Sequence, residues 1–133
     1  MALFLDASFF IALADPKDQW HAAAVGLLPR VKRNRPWHTH ALVVAEVVAV
    51  IGSALGGKAA RTAYHSMRDE ATVHVPALDD LDESMGLVVQ YDGGLSLSDA
   101  WSLRLMRLHK VSSIVSFDSD FDGKGVERMG AKP

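Results

Sequence analysis

The sequence predicts an α/β domain organised around a central, mostly parallel β-sheet. Two short apolar runs, "ALFL" ending at Leu5 and "IVSF" ending at Phe117, are apolar without a strict in–out alternation. A strand covered on both faces has that character, because neither face meets water. Between such runs lie segments with helical spacing, one or two for each strand, which is the pattern of α/β folds. Sheets of this kind bind ligands at the carboxyl ends of their strands, in the crevice where strand order reverses.

Taken in order, "ALFLD" is a short buried strand stopped by Asp6, and "SFFIALAD" is a short helix ended at Pro16. A second helix is expected from about Asp18 towards Pro29, with Trp20, Ala24, Leu27 and Leu28 on its apolar face. The basic connector that follows leads to Pro36 and a short strand near "WHT". "HALVVAEVVAVIGSAL" is a helix ended by Gly56 and Gly57, and "KAARTAYHSMRDE" continues as an amphipathic one. "TVHVPA" is rich in strand formers. "LDDLDESMGLVVQY" is helical and stops at Gly93 and Gly94, and "SLSDAWSLRLMRLHK" is a helix with serines at its start. "SSIVSF" is a strand, and a last short one sits near "GVERM".

The chain has 133 residues, 49% hydrophobic and 23% charged, with no repeat or linker. It reads as one globular domain over residues 1–130 with a short tail at 131–133. The absence of cysteine excludes disulfides and thiolate zinc sites, and fits a reducing cytoplasm. The apolar N-terminus carries no Lys or Arg ahead of it, is interrupted by Asp6, and is too short to span a bilayer, so neither a signal peptide nor a membrane anchor is expected. A net charge of −2 does not advertise a nucleic-acid binder. It conceals two basic groups, however: Arg30, Lys32, Arg33 and Arg35, and then Arg104, Arg107 and Lys110 at near-helical spacing.

The acidic residues are more informative. Asp6 directly follows the first strand, where it also suits a helix N-cap. Glu46 is the only charged residue between Ala41 and Gly57, set among Leu42, Val43, Val44, Val47 and Val48. A carboxylate held away from water there needs a cation or hydrogen bonds. Asp99 lies in "SLSDAW", with Ser96 at capping-box spacing. Asp118 leaves the fourth strand in "IVSFDSDFDG", an alternation that opens like a calcium loop. The twelfth position of such a loop is Met129 where a bidentate Glu is required, and the preceding segment is strand-like, so the calcium loop fails. Taken singly, each acid has a structural explanation. Together, two end strands while two sit early in helices that start at the same edge. Four carboxylates gathered there repel one another and need cations to stay ionised. Oxygen-only donors favour Mg²⁺ or Mn²⁺ over zinc.

At these four places the chain resembles the PIN-domain ribonucleases, particularly the VapC-like toxins of toxin–antitoxin pairs. The segments are "FLDASFFIAL", "ALVVAEVVAVI", "LSLSDAWSLRL" and "IVSFDSDF", in the family's order and spread over nearly the whole chain. The resemblance implies a PIN-like three-layer α/β/α sandwich and a Mg²⁺- or Mn²⁺-dependent endoribonuclease cutting single-stranded or looped RNA to a 5′-phosphate and a 3′-hydroxyl. It places Asp6, Glu46, Asp99 and Asp118 on the catalytic, metal-binding quartet. Asp6, Asp99 and Asp118 are then the leading ligands, while Glu46 either ligates or positions the attacking water. Asp120, Ser8 and Ser98 support them, and Asp122 has no family counterpart. The basic stretch from Arg30 to Arg35, with Arg104, Arg107 and Lys110, becomes a strand-binding surface. The resemblance also implies a cognate VapB-like antitoxin that blocks the acidic pocket, commonly with a basic side chain, and a homodimer. Phe9, Phe10 and Leu13 are candidates for that contact or for the core.

Other readings compete with this one. His38 and His40 alternate on a strand with Glu46 downstream, which suggests a zinc site, although surface or edge positions suit them better. Trp101 and Met106 read as core. A receiver-type phosphoacceptor domain has this size and architecture, but needs adjacent acids after its first strand and a lysine after its last. Asp6 is followed by Ala7, and no such lysine follows "IVSF". A catalytically silent PIN fold that only binds RNA or protein is the remaining alternative.

Overall fold

The computed structural model describes residues 1–130; the tail expected at 131–133 lies outside the described residues. The chain runs β1 (Leu3–Leu5), α1 (Ala7–Ala14), α2 (His21–Lys32), β2 (Trp37–His40), α3 (Ala41–Leu55), α4 (Gly57–Glu70), β3 (Thr72–His74), α5 (Leu78–Gln90), α6 (Leu97–Leu108), β4 (Ser113–Val115) and β5 (Glu127–Met129). All four strand pairings are parallel, in the order β3-β2-β1-β4-β5. The sheet is thus wholly parallel where the sequence predicts a mostly parallel one.

The alternation of side chains along β1 divides the core between two layers. Leu3 and Leu5 join Phe9, Ala24, Val31 and Val115 on the α1–α2 side. Phe4 points the other way, with Ile114, Trp101, Met106 and Phe121 on the α6 side. Val43, Val47 and Ile51 of α3 form a third cluster with Ala60 and Met67 of α4. Phe9 is buried in the core, while Phe10 and Leu13 are half-buried and pack against these clusters.

Three helix boundaries differ from expectation. The helix expected from Asp18 begins at His21, because Asp18 uses its carboxylate on the Trp20 N–H (2.8 Å) and its carbonyl on the His21 N–H (3.0 Å) to make a turn. It then runs past Pro29, whose carbonyl accepts from the Arg33 N–H at 3.2 Å. Gly57 begins α4 instead of ending α3. Gly56 alone is the joint, at a φ of 94° that disfavours any residue with a Cβ.

Strand order reverses at the β1–β4 neighbours. From β1 the chain moves outward to β2 and β3, then returns to the other side of β1 as β4 and continues to β5. Asp6 follows β1 and Asp118 lies just beyond β4, so both acids sit at that crevice.

Candidate active site

Asp6, Glu46, Asp99 and Asp118 line one cleft of about 770 Å³, together with Asp120, Ser8 and Ser98. Asp18, Gln19, Trp20, Leu42 and Ser96 complete much of its wall. No lysine, arginine or histidine is among the described residues that line it.

Asp6 forms the floor, only 5% exposed. Its Oδ2 accepts from the Ser116 hydroxyl at 2.7 Å and the Ser8 hydroxyl at 3.1 Å. The same two hydroxyls accept from the backbone of the following turn, Ser8 from the Phe117 N–H and Ser116 from the Asp118 N–H, each at 3.0 Å. Two serines therefore tie the end of β1 to the end of β4. Burial pushes the Asp6 carboxyl up, Ser116, the Ala7 N–H and Ser8 pull it back, and the Asp118 charge pushes it up again.

Asp118 caps a short 3₁₀ turn, its Oδ1 accepting from the Asp120 N–H at 2.9 Å. That turn brings carboxylate oxygens of Asp99, Asp118 and Asp120 within 4.8 Å of one another. Asp99 stands in the first turn of α6, where the Ser96 hydroxyl accepts from its N–H at 3.0 Å. Burial first, then the charges of Asp6 and Asp118, raise the Asp99 carboxyl from 3.8 to about 7, against a smaller pull from Ser96 and with a further push from Glu46.

Glu46 differs from expectation. It is not held away from water by its apolar neighbours, because the buried stripe of α3 is Val43, Val47 and Ile51, and Glu46 lies on the exposed cleft side. Partial burial by the cleft walls, then Asp6 and Asp118, still raise its pKa. The four acids are thus one electrostatic unit despite their different exposures.

This donor set fits a hard divalent cation. It is all oxygen, burial first and neighbouring charges second drive Asp6, Glu46 and Asp99 towards protonation, and no cationic side chain among the described lining residues relieves them. Arg128 is a basic group that feels Asp118, yet it is committed to Asp122, with Nε and Nη2 on the two carboxylate oxygens at 2.8 and 3.1 Å. Asp122 is therefore turned to Arg128, which agrees with the failure of the calcium loop.

The other predicted residues divide. Ser98 lines the cleft but contributes through its carbonyl, which accepts from Ser102 at 3.1 Å. Arg30, Lys32 and Arg33 are exposed at the end of α2. Arg35 covers the Trp37 ring at 3.5 Å. Arg104 pairs with Glu83, and Arg104, Arg107 and Lys110 line a second cleft that shares no residue with the acidic one.

The histidines form no site with Glu46. His40 is fully buried, correcting its expected surface or edge position, because β2 is an interior strand and the ring packs on Trp101, with centroids 4.4 Å apart. His38 instead meets His74, Nδ1 to Nε2 at 3.0 Å, and His109, with ring centroids 5.4 Å apart. Ser116 is a site residue that the motifs do not reveal. Its only sequence signal is a polar residue inside the apolar run before Asp118.

The fold and the sequence have counterparts among known proteins. The PIN domain family model matches residues 3–126. The structure of VapC20 from Mycobacterium tuberculosis, described as a sarcin–ricin loop cleaving toxin, is similar with a TM-score of 0.84 and 25% identity, over 97% of this chain and 99% of that one. The structure of PAE2754 from Pyrobaculum aerophilum is similar in fold, with a TM-score of 0.65 and 20% identity, over 96% of this chain and 89% of that one. No curated protein sequence matches the chain.

Proposed function

The chain belongs to the PIN-domain family, and from that premise we propose that it is a Mg²⁺- or Mn²⁺-dependent endoribonuclease acting as the toxin of a toxin–antitoxin pair. The observation that carries the proposal is the cleft in which four carboxylates meet at the reversal of strand order with no basic lining residue among those described. The likeness to a loop-cleaving toxin supplies the substrate class, RNA, and the toxin role.

On this reading Asp99, Asp118 and Asp6 hold the cations, with Asp120 beside them and Glu46 either ligating or directing a water. A bound divalent cation supplies positive charge that acidifies a water and offsets the charge of the phosphodiester. The protein's part is to aim its oxygens. Ser116 and Ser8 fix one oxygen of Asp6, and the Asp118–Asp120 turn fixes the approach from the β4 side. The starts of α3 and α6 place partial positive charge behind an anionic cluster, which favours it. The same reading includes one domain over residues 1–130, a VapB-like antitoxin, a homodimer and a cytoplasmic setting. Among the described residues no helix is long and apolar enough to cross a membrane.

The test is cleavage of a mixed pool of single-stranded and stem-loop RNAs with Mg²⁺ or Mn²⁺ and with a chelator. Cleavage is expected only with the cation, and a folded Asp6→Asn protein should lose more than about 100-fold in rate. Unchanged cleavage by that variant would refute the assignment.

A further inference from the structure

The acidic cleft is only as well defined as the spacing between the two helices that bring Glu46 and Asp99 to it, and one buried side chain connects the starts of both. The structure assigns His40 a positioning role: its imidazole clamps the first turn of α3 to the first turn of α6 and so sets the placement of Glu46 relative to Asp99. This inference rests on the cation-dependent reading of the cleft given above.

His40 Nδ1 accepts from the Leu42 and Val43 N–H groups at 3.1 and 3.2 Å, which caps α3. A nitrogen that accepts two N–H groups carries no proton, so the single proton of the neutral ring is on Nε2. Nε2 faces the Ser98 carbonyl at 3.0 Å and the Ser102 hydroxyl at 2.9 Å, and donates there. The Ser102 hydroxyl passes the pattern on, donating to the same Ser98 carbonyl at 3.1 Å. Every polar atom of the ring is therefore used, each nitrogen on a different helix. A protonated ring would oppose N–H to N–H at Nδ1, and burial accordingly lowers the His40 pKa to about 4, so the ring stays neutral at working pH. With Nδ1 taken by backbone donors and Nε2 carrying the proton, no lone pair remains for a metal. His40 is neither a zinc ligand nor a proton shuttle.

The consequence for the cleft follows from chain position. Leu42, capped by His40, is one helical turn before Glu46, and both line the cleft. Ser98, gripped by His40, is the residue before Asp99, and both line it too. Trp101 and Phe4 hold the ring from its sides, with centroids 4.4 and 5.8 Å away, so the clamp has little freedom to rotate.

Two substitutions separate clamping from capping. Asn presents an oxygen where Nδ1 stands and is itself a favoured N-cap, but it cannot reach α6. His40→Asn should therefore keep α3 capped while releasing Ser98 and Ser102. Mn²⁺ binding by electron paramagnetic resonance and RNA cleavage are measured on wild type, His40→Asn and Ser102→Ala, each checked for folding by circular dichroism. His40→Asn is expected to weaken Mn²⁺ binding and lower kcat about 10-fold each, with KM for RNA unchanged, as lost outer support of ligands does. Ser102→Ala should move both in the same direction by about fivefold, the effect of one ordinary hydrogen bond. A folded His40→Asn protein that melts lower yet binds Mn²⁺ and turns over like wild type makes the residue merely structural and overturns the clamp. If His40→Asn does not fold, Ser102→Ala decides in the same way. A wild type that neither binds Mn²⁺ nor cleaves RNA overturns the function itself, and the clamp with it, before any variant is read.

Discussion

The two ends of α6 handle charge in opposite ways. At its start, Asp99 faces Asp6, Glu46 and Asp118 across a cleft with no basic lining residue among those described. Towards its end, Arg104 and Arg107 also face a cleft, of about 510 Å³, but there Arg104 pairs with Glu83 and Lys124 lies over the Tyr91 ring at 4.9 Å. One cleft collects like charges and leaves them uncompensated, while the other answers charge with partners from neighbouring elements. Protein surfaces commonly do the second, at small gain. The first costs stability unless a counter-charge offsets it, and the proposed function assigns that role to a divalent cation.

The comparison breaks most visibly if the acidic end can be neutralised without consequence. Asp99→Asn is expected to lower RNA cleavage by more than about 100-fold while raising the melting temperature of the cation-free protein, because it removes a carboxyl crowded by three others. A variant that loses activity and stability together would mean that Asp99 serves the fold and not the cation.

Ser116→Ala comes next. Removing the 2.7 Å donor leaves the Asp6 Oδ2 with Ser8 as its remaining side-chain donor. Cleavage should fall about 10-fold through kcat, the scale for residues that orient ligands. An effect confined to KM would assign Ser116 to substrate contact instead.

The pH dependence sharpens the contrast further. Asp99 titrates near 3.8 when unperturbed and at about 7 in the cleft, raised by burial first. A carboxyl whose pKa is higher in the folded state holds its proton more tightly there. Its stabilisation is complete below about pH 4 and gone above about pH 7, so rising pH destabilises the cation-free protein across that window. The buried histidine has the opposite sign. His40 falls from 6.5 to about 4, so its contribution is present above pH 6.5 and lost as the pH drops towards 4. Thermal melts at pH 5 and pH 8 with and without Mn²⁺ read out the acidic term. The cation should raise the melting temperature by about 3–6 °C at pH 8 and by clearly less at pH 5. An equal rise at both would show binding away from the carboxylates.

The smallest effects belong to the other end of α6. Glu83→Gln removes a pair whose side chains remain 55% and 30% exposed, and stability should fall by less than about 1 kcal/mol. Lys124→Ala should leave kcat unchanged. A large loss of cleavage from either would move the functional centre to the second cleft.

Much of this arrangement is legible in the sequence because it lies at the ends of elements. Asp6 and Asp118 each stop or closely follow an apolar run, and runs of that kind mark strands whose carboxyl ends share an edge. Glu46 stands out as the lone charge of its helix, but its solvent exposure depends on which side of α3 meets the cleft, which the crowded apolar sequence conceals. The supports were hidden for a stronger reason. Ser116 reaches Asp6 across 110 residues, and His40 reaches Ser98 and Ser102 across 58 and 62. No local pattern encodes those pairings. A histidine between two helices also looks, in sequence, like an edge residue or half of a zinc pair. The start of α2 is not legible in sequence because Asp18 makes a turn in place of a helix cap, a choice between two nearly equivalent hydrogen-bonding schemes.

The most direct measurement is anomalous scattering from Mn²⁺ in crystals of the protein. The account predicts a peak inside the acidic cleft, bound by carboxylate oxygens drawn from Asp99, Asp118, Asp120 and Asp6. A cleft with no peak at millimolar Mn²⁺, or a peak instead beside His38, His74 and His109, would contradict it.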